Sequence, residues 1–423
     1  MYIGSLRKGG AERVMVNLAE YFYGRGYKVT LVTSYLDTDE YEVPDAAWKQ
    51  VRGSFAGDST CSVSKAFSDH DKTDTDIIPV LLTEGRGLAY IDLNGGKKDG
   101  IMRVFSAADE NGLLKGAGSP DRESAIPGRA GAFMTRYNKL RSIWKKLSPD
   151  LILSFIGKNN IMAILTSRGL HIPCVVSVRA RPAREYAGRA MDMSMKLTFA
   201  MTEGVVLQTR GASEYFPANI RKKSVILPNS LNPAFMRQPY KGERQHRICV
   251  VGRIDENKNQ AMIIRSFAKV HDRYPDWKLE IYGDGPLKNK LEDLALQLGI
   301  KDRVDMKGQV SGVADRIYDA AVFVLSSDTE GLPNSLIEAM SLGLASISTN
   351  CPYGPSEIIE NGENGILVGV RDDDAMAEAM DRLLSDGDYR QRLSEHAIKI
   401  RERFMPDTIN RQWEDYLLSF MRS

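Results

Sequence analysis

The chain has 423 residues, 43% of them apolar and 26% charged, with a net charge of only +2. Those values fit a soluble globular protein of two domains and disfavour a disordered, fibrous or nucleic-acid-binding chain. No run of about 18 apolar residues occurs, so a membrane-spanning helix is not expected.

The amino terminus "MYIGSLRKGGAERV" lacks a signal-peptide pattern. Cys61, Cys174, Cys249 and Cys351 are far apart and form neither a CxxC nor a zinc spacing, which suits a reducing cytoplasm. Charge is uneven: residues 101–240 hold 21 Lys and Arg against 9 Asp and Glu. Two readings stay open, a solvated surface or a face for an anionic acceptor or membrane.

In chain order, "MYIGSL" is a short apolar start before the Gly-rich "RKGGAERV" (7–14), less than the full strand that usually opens a doubly wound domain. Strands are predicted at 27–34, 150–156, 172–179, 204–209 and 223–229, with helices between. Residues 52–130 are polar and Gly/Ser-rich and read as surface insertions. Asp37-Thr-Asp39 and Asp74-Thr-Asp76 fall in acidic loops, and no metal site is expected from them. A linker rich in Pro and Asn spans 228–246. Beyond it the alternation is clear: strand 247–254, helix 259–274, strand "WKLEIYG", helix "PLKNKLEDLALQLG", then "RVDMKG", "VFVLSS", "NSLIEAMSLG", "LASIST" and "GILVGV". Strands alternating with helices predict parallel, doubly wound α/β domains. The proposed division is 1–228, 229–405, and a C-terminal helix at 406–423 returning to the first domain.

Ligands of such sheets lie beyond the carboxyl ends of the strands, and the chemical motifs fall there. "DTEGLPNSLIEAM" (328–340) places Glu330 before a turn and Glu338 inside the helix that follows. The amides of Leu332 to Leu336, with Gly331, Asn334 and Ser335, crowd at a positive helix end suited to phosphate. A carboxylate repels phosphate but accepts from sugar hydroxyls, so the segment suits a diphosphate held between two hydroxyl-bearing groups. In "VGRIDENKN" (251–259), Gly252 opens a loop carrying Arg253 and Lys258, two cations able to neutralise a leaving diphosphate. Gly10 lets backbone approach a ligand. "IYGDGPLK" lacks the third glycine of a dinucleotide fingerprint, so NAD is not expected. Lys307 and Gly308 in "DMKGQV" end another strand, where backbone could read a base edge.

Taken together, "GSLRKGGAER", "LPNSLNP", "VGRIDENKN", "YGDGPL", "MKGQV", "DTEGLPNSLIEAMSLG", "CPYGPSEII" and "NGILV" resemble the family 4 retaining glycosyltransferases of the GT-B fold, which act in bacterial polysaccharide and glycolipid synthesis. The resemblance implies two Rossmann-like domains facing across a cleft, with donor in the second domain and acceptor in the first. It implies that Arg253 and Lys258 bind the diphosphate, that Glu330 meets the donor sugar and Glu338 the ribose, and that no metal or other cofactor is needed. The co-substrates would be a nucleotide sugar, expected to be a UDP-sugar carrying a hexose or N-acetylhexosamine, and a growing glycan, expected to be polyprenyl-diphosphate-linked. This chain has Ser177, Arg179 and Arg181 where many family members carry a histidine. Arg179 is therefore expected near the donor phosphates or the acceptor, and Arg179, Arg181 and Asn159 are assigned to the acceptor side. A cytoplasmic protein with peripheral contact at the inner membrane face through its basic N-terminal half follows from the same resemblance. A non-catalytic nucleotide-sugar-binding protein and a GT-B sugar epimerase are the competing functions.

Overall fold

The computed structural model describes residues 1–3, 10–33, 88–92 and 129–421. The Arg7-Lys8-Gly9 part of the Gly-rich loop and both Asp-Thr-Asp segments lie outside the described residues. So do the insertions at 52–130, apart from one strand and the start of a helix.

Two parallel sheets form the frame. The first contains β1 (Tyr2–Ile3), β2 (Val29–Thr33), β3 (Leu88–Asp92), β4 (Ile152–Phe155), β5 (Cys174–Ser177), β6 (Gly204–Leu207) and β7 (Ser224–Ile226), in the order β3-β2-β1-β4-β5-β6-β7. The second contains β8 (Gln245–Val251), β9 (Lys278–Tyr282), β10 (Val304–Gly308), β11 (Ala320–Leu325), β12 (Ala345–Thr349) and β13 (Ile366–Val368), in the order β10-β9-β8-β11-β12-β13. Both orders reverse at one point, between β1 and β4 and between β8 and β11. Such a switch point opens a crevice at the strand ends.

The central strands β4, β5, β6, β11 and β12 are buried along their whole length. That explains their unbroken apolar runs, because helices cover both faces of a parallel sheet. β1 is only two residues long, yet Tyr2 and Ile3 are buried between β2 and β4. On one face of the first sheet, α1 (Gly10–Gly24) packs with the last long helix. On the other lie α2 (Arg129–Leu147), α3 (Gly157–Ser167) and α4 (Arg189–Phe199).

In the second domain, α5 (Gln260–Ala268), α6 (Lys288–Gln297) and α7 (Asp373–Ser385) share one core, while α8 (Asn334–Ser341) covers the opposite face. The helix expected over 259–274 stops at Ala268 and continues as a short 3-10 turn at His271–Arg273. Pro275 disfavours helical backbone at Tyr274, the residue before it, which is where the 3-10 turn ends.

The C-terminal helix α9 (Pro406–Leu418) returns to the first domain. Its Ile409, Trp413 and Leu417 join the core formed by α1 and β4. Glu414 anchors it, accepting from the Tyr21 and Tyr27 hydroxyls at 2.8 Å each.

Candidate active site

The turns after β8 and β11 are stitched together, and the start of α1 in the first domain lies against the helix that follows β11. After β8, Gly252 donates to the Tyr282 carbonyl at 3.0 Å, and the chain turns through Arg253 to Asn259. That turn is possible because Gly283 has no side chain: a Cβ there would lie 1.9 Å from the Gly252 oxygen. The "YGDG" segment therefore gives the neighbouring loop its backbone room. Asp255 shapes the loop by accepting from the Lys258 amide at 2.9 Å. Asn257 ties it to the loop after β11, donating to the Thr329 carbonyl at 2.9 Å and accepting from the Thr329 hydroxyl at 2.6 Å.

This stitching brings Lys258 Nζ to 2.7 Å from Glu330 Oε1. The pair is largely shielded, with side-chain exposures of 23% and 12%. Arg253 takes a different position: its guanidinium is largely exposed and pairs with Asp255 at 2.5 Å. Lys307 is held at the end of β10 by Asp305 and by Glu280, the latter at 3.3 Å. Gly308 accepts from the Gly283 amide at 2.8 Å. Of the predicted donor cations, Lys258 is thus the one that the structure places on a predicted carboxylate.

The β11–α8 turn keeps Leu332 and Leu336 in the core, while Gly331, Asn334 and Ser335 are half-buried at the helix start. Glu338 is buried within α8, and Arg13 from α1 reaches across to it, with Nη2 2.8 Å from Oε1. Burial raises the Glu338 carboxyl above its ordinary pKa, and Arg13 opposes that rise. Gly10 lies against the same helix start, since a Cβ on it would stand 3.3 Å from Asn334 Nδ2.

Further contacts cross the cleft. Asn229 Nδ2 donates to Asn334 Oδ1 at 2.6 Å, and Gln208 Nε2 donates to Asn229 Oδ1 at 3.0 Å. Glu357 accepts from the amides of Arg210 and Gly211, each at 2.9 Å. The Arg181 guanidinium lies 5.7 Å above the Tyr353 ring. Gly331 touches the segment after β5: a Cβ there would be 3.1 Å from the Arg179 carbonyl.

On the first-domain side, Asn159 makes a long contact to the Phe155 carbonyl, at 3.5 Å. Its neighbour Asn160 is buried and donates to the Ser177 carbonyl at 2.9 Å. Ile156 has φ 72°, a left-handed conformation that β-branched residues rarely adopt. Glu185 braces this turn, accepting from the amides of Gly157 at 2.7 Å, Arg179 at 3.1 Å and Ala180 at 3.0 Å. Burial raises its carboxyl pKa, with those three amides working the other way. Arg179 itself turns inward, and burial lowers its guanidinium to about 9.

Sequence reasoning assigned no role to Arg13, Glu185, Gln208, Asn229, Tyr353 or Glu357. Arg13, Asn229, Tyr353 and Glu357 lie inside quoted motifs. Glu185 and Gln208 carry no local signal, because their partners are distant in sequence. Among the described residues, no group of three or more His, Cys, Asp or Glu side chains is gathered as a metal site would need. Nor is any described helix long and apolar enough to cross a membrane.

Comparison with known proteins agrees with this layout. Residues 232–400 match the family model "Glycosyl transferases group 1". A Campylobacter jejuni relative is the GalNAc-alpha-(1->4)-GalNAc-alpha-(1->3)-diNAcBac-PP-undecaprenol alpha-1,4-N-acetyl-D-galactosaminyltransferase. It is 26% identical over 296 residues, covering 66% of this chain and 80% of its own. The amylovoran biosynthesis glycosyltransferase AmsD of Erwinia amylovora is 23% identical, covering 64% of this chain and 79% of its own. Among solved structures, Anabaena Alr3699/HepE in complex with UDP-glucose superposes with a TM-score of 0.69 at 14% identity, covering 99% of this chain and 98% of its own. Staphylococcus aureus TarM superposes with a TM-score of 0.68 at 16% identity, covering 100% and 99%. Residues 232–400 thus match the group 1 glycosyl transferases, the chain has the two-domain GT-B fold, and the relatives it resembles are glycosyltransferases of bacterial polysaccharide and glycolipid synthesis.

Proposed function

We propose that the protein moves a hexose or N-acetylhexosamine from a UDP-sugar to a growing, polyprenyl-diphosphate-linked glycan, with retention of anomeric configuration. The observation that carries this reading is the Lys258–Glu330 pair at the mouth of β8 and β11, 2.7 Å apart, followed by the α8 start and buried Glu338. A nucleotide sugar has the matching order of hexose, diphosphate and ribose. Glu330 would accept from sugar hydroxyls, and the amides of Leu332 to Leu336 would meet phosphate oxygens. Glu338 would accept from the ribose. Lys258 would neutralise charge gathering on the leaving diphosphate. Arg253 would join it by leaving Asp255 and swinging inward, as its exposure allows.

In the chemical step, the acceptor hydroxyl attacks the anomeric carbon on the face that the diphosphate leaves. The bond from that carbon to the phosphate oxygen breaks, and the freed oxygen takes the hydroxyl proton. Two side-chain cations supply the charge that a metal ion supplies elsewhere, so the reaction is proposed to need none. Support for UDP comes from the HepE and TarM complexes, and for the lipid-linked acceptor from the Campylobacter relative. Action on such an acceptor from the cytoplasmic side would bring the protein to the inner membrane face, without a spanning helix.

Turnover with UDP-glucose, UDP-GlcNAc and UDP-GalNAc, followed by UDP release in the presence of lipid-linked glycan, tests the reading. Glu330→Gln should lower transfer by about a hundredfold or more, as loss of a group acting at the reacting sugar does. UDP affinity should change little. Unchanged transfer in that variant would remove Glu330 from the site. A protein that binds UDP-sugars yet transfers to no glycan would be the non-catalytic binder instead.

A further inference from the structure

The first-domain side of the cleft holds a cation that forms no ion pair among the described residues. Arg179 follows β5 and is only 8% exposed. Its Nη1 donates to Ser177 Oγ at 3.3 Å, whereas Nε and Nη2 are buried and meet no acceptor. The guanidinium lies 5.2 Å from the Phe155 ring centre and 5.8 Å from that of Trp413. Trp413 Nε1 is also buried without an acceptor. Glu185 is the acidic group whose charge acts on Arg179, but its oxygens already accept from three backbone amides, that of Arg179 included.

Removing a cation from water without pairing it is costly, and aromatic faces offset only part of that cost. Donors left without acceptors add to it. The backbone of Arg179 borders the reacting centre, since its carbonyl abuts Gly331, next to Glu330, and the guanidinium runs from there to the end of β5 and the Phe155 and Trp413 rings. We infer that the Arg179 guanidinium, backed by the Phe155 and Trp413 rings, forms a subsite for a phosphate group of a substrate. The inference rests on reading the cleft as the place of glycosyl transfer and adds to it an anion contact from the acceptor domain. Two phosphates reach this region, the donor's diphosphate and the diphosphate joining acceptor to lipid. The subsite's chemistry is the same for both. Trp413 belongs to α9, so the returning helix becomes part of the subsite wall.

Titrations of the full chain with UDP, with inorganic pyrophosphate and, in saturating UDP, with farnesyl diphosphate separate the two sources. Wild type is compared with Arg179→Lys and Arg179→Met. Arg179→Met should weaken at least one of the three by about tenfold or more, the scale of a lost charge-assisted contact. Arg179→Lys should recover only part, because it returns a charge without the planar fork. Weakened UDP and pyrophosphate binding assigns the subsite to the donor. Weakened farnesyl diphosphate binding alone assigns it to the acceptor.

The thermal midpoint of ligand-free Arg179→Met should match or exceed that of wild type, because an unpaired buried cation has gone. A lowered midpoint would make Arg179 a structural cation and overturn the inference, as would unchanged affinity for all three probes. Failure of wild type to bind UDP would instead count against the proposed function itself.

Discussion

Glu338 joins burial to function. Its carboxyl is raised by desolvation and lowered by Arg13, 2.8 Å away. It accepts from a ribose hydroxyl most strongly when ionised. Donor affinity should therefore be present above its raised pKa and be lost as pH falls through it. Arg13→Gln removes the lowering influence, so the loss should begin at a higher pH. UDP affinity measured across about pH 5 to 8 checks this, and superimposable profiles for wild type and variant would contradict it. Glu330 and Lys258 were legible because each sits in a short, ordered motif at a strand end. Arg253 was legible as a cation but not in its partner, Asp255, which lies two residues on. Arg13 stood within a quoted motif, yet only the folded chain shows that it reaches a helix more than 300 residues away.

At the scale of elements, the two switch points explain why the motifs cluster. Gly10 follows β1 and Asn159 follows β4, while Arg253 and Lys258 follow β8 and Glu330 follows β11. The strand order of each sheet reverses there and leaves room for a ligand. Strand positions were readable from buried apolar runs, most clearly in β11, and their ends shifted by a few residues where loops bend into the cleft. Backbone crowding was not readable. The glycine at 283 looks like part of a nucleotide fingerprint, but its place is set by the Gly252 oxygen. Gly283→Ala should lower the stability of the second domain by about 3 kcal/mol, seen as a lower thermal unfolding midpoint, and weaken UDP binding by displacing Lys258. A variant with wild-type midpoint would show that the two loops do not press together.

For the molecule as a whole, the cleft is closed by contacts from both sheets' carboxyl ends: Arg13 on Glu338, Asn229 on Asn334, Arg181 on Tyr353, and Glu357 on the amides of Arg210 and Gly211. Helix α9 ties the end of the chain back to α1, so the domains are joined at two crossings, the linker before β8 and the segment leading into α9. Two α/β domains could be read from alternating patterns, whereas their facing surfaces could not, since no local pattern encodes which loops meet. We propose that this closed cleft holds a nucleoside diphosphate without a metal ion. Calorimetric titration with UDP in the presence of EDTA, on wild type and Glu338→Ala, tests it most directly. Wild type should bind UDP with EDTA present, and affinity should weaken by about tenfold or more in the variant. Binding that requires a divalent ion, or that Glu338→Ala leaves unchanged, would contradict it.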